Sequence, residues 1–250
     1  MAILYVAAEA MELEPFAALL TGVRKLKWPI GYAFEGVWEG RRVMLAANGA
    51  GPKLAAQAVE IAIRAVTGAE LSSSKLEAVV STGFCGALDP ELRECQLVIA
   101  TEVLDLDTHT SFECGAVDTD SPFASGLLLS QDRIANYAAE KQQLREHGAL
   151  AIDMESAGVA ARAKRAGLPF YSIKVVSDRA DESFPLDINS MRAPDGRIRR
   201  VKIGIHGLTH PKLLPKLFHL KRRSSDAAKA LGDFLVSCRI RPKSDTGVAE

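Results

Sequence analysis

The chain has 250 residues, with 31 basic and 31 acidic side chains, 48% apolar residues and 25% charged ones. This is the composition of a globular protein long enough for one large α/β core, and its zero net charge argues against general nucleic-acid binding. The four cysteines, Cys85, Cys95, Cys114 and Cys238, form no C-x-x-C pair and no metal-ligand spacing, which fits a reducing, cytoplasmic compartment and a protein with no bound metal.

Ala2–Ala8 is an apolar run that meets acids at Glu9 and Glu12. It is too short for a secretion signal or a membrane span, and Ile3–Ala7 within it is expected to be a buried strand. Glu12, Leu13 and Glu14 then begin a helix. Gly31–Trp38 and Arg42–Ala47 predict a hairpin turning at Glu39-Gly40. The next helix has Pro52 near its first position and Gly68 past its end, with Leu54, Ala58, Ile61 and Ala65 along one face. The loop Asn48–Gly51 feeds its N-terminus, where free N–H groups favour an anion or a polar ligand. Leu76–Gly83 is a strand entering a glycine loop. Leu97–Leu104 and Gly126–Ser130 are further strands. Cys85 lies in the glycine loop with no histidine nearby in sequence, so it is expected to be a buried small residue.

Two carboxylates say most about function. Ala149–Met154 reads as a short strand, and Glu155 opens a helix of small residues that ends near Gly167, with Pro169 beyond. Phe170–Ser177 has the composition of a buried parallel strand and leads into Asp178. Glu155 and Asp178 thus lie 23 residues apart, at the carboxyl ends of two strands joined in what looks like one β-α-β passage. Ligands bind at such strand ends in open α/β sheets. Each acid alone has a structural explanation, Glu155 as a complement to the helix dipole and Asp178 as a cap. The pair weakens both.

The acidic–Met–Glu core of Ala151–Ala157, followed by Ser177-Asp178 at a strand end, resembles the purine nucleoside phosphorylase and nucleosidase superfamily, of which methylthioadenosine/S-adenosylhomocysteine nucleosidase is a familiar member. Ala10-Met11-Glu12-Leu13-Glu14, Asn48-Gly49-Ala50-Gly51-Pro52 and the run from Ser81 to Pro90 resemble its other site segments. The resemblance runs from about Ile3 to Glu182. It implies a single-domain, three-layer α/β fold over residues 1–240, with a central mixed, twisted sheet flanked by helices, and a homo-oligomer. It also implies cleavage of an N-ribosidic bond, with a nucleoside as the small-molecule partner and no cofactor. In a phosphorolytic alternative inorganic phosphate is the co-substrate.

Such cleavage needs an acid at the leaving purine, a carboxylate on the ribose hydroxyls and a nucleophile on the opposite face; general-acid help contributes about 10²–10⁴ in rate. Carried over residue by residue, Asp178 is the acid, positioned by Ser177 and kept protonated by burial under the purine. Glu155 binds the ribose, with Met154 packed on the sugar. Glu14 orients the attacking water, with Glu12 and Glu9 as alternatives. Thr82, Gly83 and Phe84 lie beside base and ribose, Asp153 supports them, and Ile134 walls the base pocket. Gly49 and Gly51 face the water or phosphate, for which Lys53, Arg42 and Arg93 are the available cations.

From Arg197 to Arg223 the chain carries nine basic residues and no acid, interleaved with apolar ones, and three of its five histidines: His206, His210 and His219. One expectation is an amphipathic helical insertion over 186–223, packed on the domain with a solvated basic face. The other is a flap over 197–223 that touches lipid or an anionic ligand at the membrane surface. Followed by a helix Ser224–Val236, this insertion resembles the hopanoid-associated phosphorylase branch, which releases adenine from adenosylhopane. Residues 241–250 are expected to be a disordered tail. Two other classes stay open: a non-catalytic nucleoside-binding module, which need not keep Asp178, and an unrelated α/β hydrolase, for which no G-x-S-x-G elbow is present.

Overall fold

The computed structural model describes residues 1–68, 75–184, 187–193 and 214–240. Strand β1 (Ala2–Ala7) lies in the middle of the sheet, buried on both faces, and this is why its sequence is apolar throughout rather than alternating. Helix α1 (Ala10–Ala17) follows. Strands β2 (Thr21–Lys25), β3 (Tyr32–Trp38) and β4 (Arg41–Ala47) extend the sheet on one side of β1. The β3–β4 turn places Glu39 at φ 46° and Gly40 at φ 74°, the left-handed pair that a two-residue hairpin requires. Helix α2 (Pro52–Thr67) buries Leu54, Ala55, Ala58, Val59, Ala62 and Val66, whereas Ile61 and Ala65 are only partly covered. The buried stripe is therefore wider than expected and rotated, because α2 packs on the sheet and on a second helix at once.

Strand β5 (Leu76–Ala87) runs four residues past the expected end at Gly83. The glycines there belong to the strand, because it is paired to its end. It lies parallel to β1 and to β11 (Phe170–Asp178), and its last residues pair antiparallel with β10 (Ala151–Asp153). Strands β6 (Leu97–Asp105) and β9 (Ala124–Ser130) complete the order β10-β9-β6-β11-β5-β1-β4-β3-β2, with β7 (Thr110–Glu113) on β6. Since β10 pairs with both β9 and β5, one end of the mixed sheet closes on itself. The β10-to-β11 passage, through α4 (Ser156–Arg165), is accordingly not a parallel crossover: β10 runs antiparallel to β5 and β11 parallel to it. A short pair, β8 (Val117–Asp118) with β12 (Arg239–Ile240), lies apart, and α3 (Ala138–Arg145) connects β9 to β10.

The layers follow from alternation along the strands. Leu4, Val6, Met44 and Ala46 face α2 and α4, while Ile3, Tyr5, Val43 and Leu45 face α1 and the C-terminal helix α5 (Leu214–Ser237). Helix α5 is continuous from Leu214, so the expected boundary at Ser224 falls inside it. Of the expected insertion over 186–223, residues 186 and 194–213 lie outside the described residues, as does the tail 241–250.

Helices α2 and α4 approach most closely at Gly158, where an added Cβ would collide with the backbone carbonyl of Pro52. Overpacking of this kind costs about 1–3 kcal/mol. Gly158→Ala should lower stability by that amount in urea unfolding.

Candidate active site

Four segments converge on a cavity of about 190 Å³: the start of α1, the end of β5, and the ends of β10 and β11. Its walls include Glu12, Phe84, Ile134, Asp153, Met154, Glu155, Ser177 and Asp178, with Lys141 and Phe184. Most of the expected site residues are thereby brought together.

Glu14 is not among them. It is exposed on α1, whereas Glu12 is 3% exposed and lines the cavity. Two residues is more than half a helical turn, so the two acids cannot share a face. Leu13 and Phe16 mark the inward face, and Glu12 lies on it, four residues before Phe16. The correction from Glu14 to Glu12 follows from that phase. Glu12 accepts the N–H of Phe84 at 2.8 Å on Oε1 and the N–H of Glu9 at 2.6 Å on Oε2. Gly83 makes this approach feasible: it sits at φ +114°, and a Cβ there would lie 2.7 Å from Glu12 Oε1. Burial pushes the Glu12 carboxyl up to about 7, against the backbone hydrogen bonds from Phe84 and Glu9 that favour the anion.

Glu155 is also buried, and Gly51 donates its N–H to Oε1 at 2.9 Å. Gly51, at φ +109°, is thus committed to Glu155 and is not a free anion donor. Burial, and then the charge of Asp153, push the Glu155 carboxyl up to about 8. Gly49 donates its N–H to Ala8 O at 2.8 Å. Ala50, not Gly49 or Gly51, reaches the cavity wall. Thr82 and Gly83 shape that wall from behind. The Thr82 hydroxyl is buried without a hydrogen-bond partner, and its carbonyl accepts from Lys174 Nζ at 3.0 Å.

Lys174 is fully buried and pairs with Asp153 Oδ2 at 2.7 Å. Burial opposes its charge, but the carboxylates of Asp153 and Glu155 outweigh that and raise its pKa. Asp153 also accepts the Ser156 N–H at 3.0 Å and the Ser156 hydroxyl at 2.6 Å, which holds the first turn of α4 in place beneath Glu155. Burial raises the Cys85 thiol, keeping it a packed, protonated group.

Asp178 closes the arrangement. Its Oδ1 accepts the Ser177 hydroxyl at 2.6 Å, and its Oδ2 pairs with Lys141 Nζ. Ile134 is pinned by Asn189, which accepts its N–H and donates to its carbonyl, each at 2.9 Å. Of the cations named from sequence, Arg42 pairs with Glu35, and neither it nor Lys53 nor Arg93 lines the cavity. Sequence reasoning missed Lys174, Lys141 and Phe184. A charge inside the apolar run Phe170–Val176 was a readable sign of Lys174.

A model of the phosphorylase superfamily matches residues 3–131 and 114–193. The chain belongs to that superfamily. A 5′-methylthioadenosine/S-adenosylhomocysteine nucleosidase of Haemophilus ducreyi is 27% identical over 205 residues, 71% of this chain and 84% of the relative. A guanosine phosphorylase of Halorubrum lacusprofundi is 29% identical over 201 residues, 69% of this chain and 78% of the relative. The structure of the corresponding nucleosidase from S. pneumoniae, solved with a transition-state inhibitor, superposes with a TM-score of 0.68 at 18% identity, covering 95% of this chain and 97% of that one.

The raised Glu12 and Glu155 make stability depend on pH. A carboxyl whose folded value lies above its unfolded value of 4.5 stabilises the fold most below 4.5, and that contribution is lost as pH rises through about 7 for Glu12 and about 8 for Glu155. Melting temperature should therefore fall between pH 5 and pH 8, and the slope should be flatter in Glu12→Gln. Identical slopes in the two proteins would contradict a buried, titrating Glu12.

Proposed function

We propose that the protein hydrolyses the N-glycosidic bond of a purine nucleoside. N-ribosyl cleavage as the class of reaction accords with superfamily membership. The observation that carries the assignment to water is the placement of Glu12: a buried carboxylate, fixed by two backbone N–H groups, on the wall of the cavity that also holds Glu155 and Asp178. Glu12 takes a proton from the attacking water, Glu155 holds the ribose hydroxyls beside Met154, and the base departs against Asp178. A non-catalytic binder would have no need of Asp178.

Phosphate is the less favoured nucleophile. Among the described residues the cations lining the cavity are Arg133 and Lys141, and both are paired, with Glu140 and Asp178. A dianion would enter beside Glu12 and Glu155 with no free cation to meet it. Phosphorolysis stays as the second reading because of the guanosine phosphorylase relative.

The substrate we favour is an adenine nucleoside with a large apolar 5′ group, adenosylhopane. The support is the basic, apolar run 197–223, whose last ten residues open α5. There Phe218 is 69% exposed, and Arg223 donates to the carbonyl of Ser177, next to Asp178, at 2.7 Å. Arg223, the last residue of the run, therefore adjoins the strand end that carries the acid. No helix among the described residues is long and apolar enough to cross a membrane, so this contact with lipid is peripheral. Methylthioadenosine is the alternative substrate.

Incubation with adenosylhopane, methylthioadenosine and inosine, with and without phosphate, tests the reading. Free base and free sugar should appear without phosphate; a sugar phosphate formed only when phosphate is added would select phosphorolysis. Glu12→Gln should lose about 10²–10⁴ in turnover, the scale of acid–base catalysis, while Glu14→Gln stays near wild type. As Glu12 must be ionised to act as base, wild-type activity should fall as pH drops through about 7. Flotation with anionic liposomes should show binding that weakens with salt. No association at low salt, with efficient methylthioadenosine cleavage, would select the small nucleoside.

A further inference from the structure

Lys141 is an ammonium at 1% exposure, a costly place for a charge. It projects from α3 into the wall of the same cavity. Its Nζ pairs with Asp178 Oδ2, donates to the carbonyl of Arg179 at 2.6 Å, and lies 5.8 Å from the centroid of the Phe184 ring. Of its three N–H groups, two are taken by these acceptors.

The pair changes what Asp178 can do alone. An ion pair joins a carboxylate to an ammonium, so Asp178 within it has no proton to give. A purine leaving from C1′ needs one at N7. Two protons contact Asp178, the Ser177 hydroxyl's at Oδ1 and the Lys141 ammonium's at Oδ2, and the ammonium's is the more acidic of the two.

We propose that Lys141 is the source of the proton that neutralises the leaving base, passed to N7 through Asp178 Oδ2. This rests on the N-ribosyl reading and narrows its substrate class to nucleosides whose base leaves only when protonated. The steps balance. The C1′–N9 bond breaks and its electron pair stays on the purine. N7 takes a proton from Asp178, and Asp178 takes one from Lys141. Water adds to C1′ and gives its proton to Glu12. Solvent then removes the proton from Glu12 and restores one to Lys141, leaving free base and the free sugar, its 5′ group unchanged, as the net products.

The test compares a purine nucleoside with p-nitrophenyl riboside, whose phenolate leaves without a proton. Lys141→Met should lose about 10²–10⁴ on the purine nucleoside, the range for general acids, and less than about tenfold on the nitrophenyl riboside. Lys141→Arg, which keeps the charge but holds its proton too tightly to pass it on, should fold like wild type and not recover the loss. Removing one partner of a buried pair can unfold a protein, so Lys141→Met/Asp178→Asn, with no unpaired charge, is measured in parallel and should also spare the nitrophenyl riboside. Equal losses on both substrates would make Lys141 merely structural. Full purine activity in Lys141→Met, or activity restored at acid pH, would place the proton on Asp178 itself. Either result overturns the assignment while leaving the N-ribosyl reading intact. Binding supplies a readout without turnover. Wild type should prefer adenine to 7-deazaadenine by about tenfold, or ~1.4 kcal/mol, and Lys141→Met should not; no preference in wild type overturns the proposal. Failure of wild type both to bind adenine and to cleave any nucleoside would remove the N-ribosyl reading and this inference with it.

Discussion

A lysine ammonium with no exposed surface holds the site together. Lys174 sits on a strand flanked on both sides, and it is tolerable there because Asp153 and the Thr82 carbonyl meet it at 2.7 and 3.0 Å. Much else hangs from that contact. Asp153, fixed by Lys174, binds the first turn of α4 through Ser156, and this sets the backbone from which Glu155 projects. Lys174 also moderates the burial cost of Glu12 and Glu155, whose charges it faces. Glu12, Asp153 and Glu155 can lie close together on the cavity wall because the Lys174 ammonium lies behind them.

The fold was largely legible in the sequence because its strands are either wholly apolar or bounded by glycine and proline. Pro52 and Gly68 marked α2, and Glu39-Gly40 marked the hairpin. Elements stabilised by pairing partners rather than by local pattern were not legible. The last four residues of β5 are strand because β10 and β11 both reach them, which no local propensity reports. Helix α3, whose segment AAEKQQLR reads as a solvated surface helix, gave no sign that its lysine turns inward.

The site was legible where spacing along the chain fixes geometry and opaque where it does not. Met154, Glu155, Ser177 and Asp178 all reach the cavity because strand ends deliver them. The choice between Glu12 and Glu14 turned on helix phase. A motif match of Ala-Met-Glu-x-Glu carries no information about which acid faces in, whereas Leu13 and Phe16 do. Lys141 and Asp178 are 37 residues apart and meet only through tertiary structure.

The closure of β10 onto β5 has a consequence beyond the cavity. A strand at the border of a sheet offers unpaired N–H and C=O groups to any passing chain, and folded proteins must blunt this hazard. At one end of the main sheet order, β10 has no such open side, since it pairs with β9 and β5. At the other end lies β2, exposed along its whole length but short, with Gly22 at φ 62° and a break in register between Thr21 and Arg24. Arg24 and Lys25 place positive charge on it. A strand that is bent, brief and charged is a poor template for addition of another β-strand. The same sheet that curls at one end to build a binding site is thereby guarded against aggregation at the other.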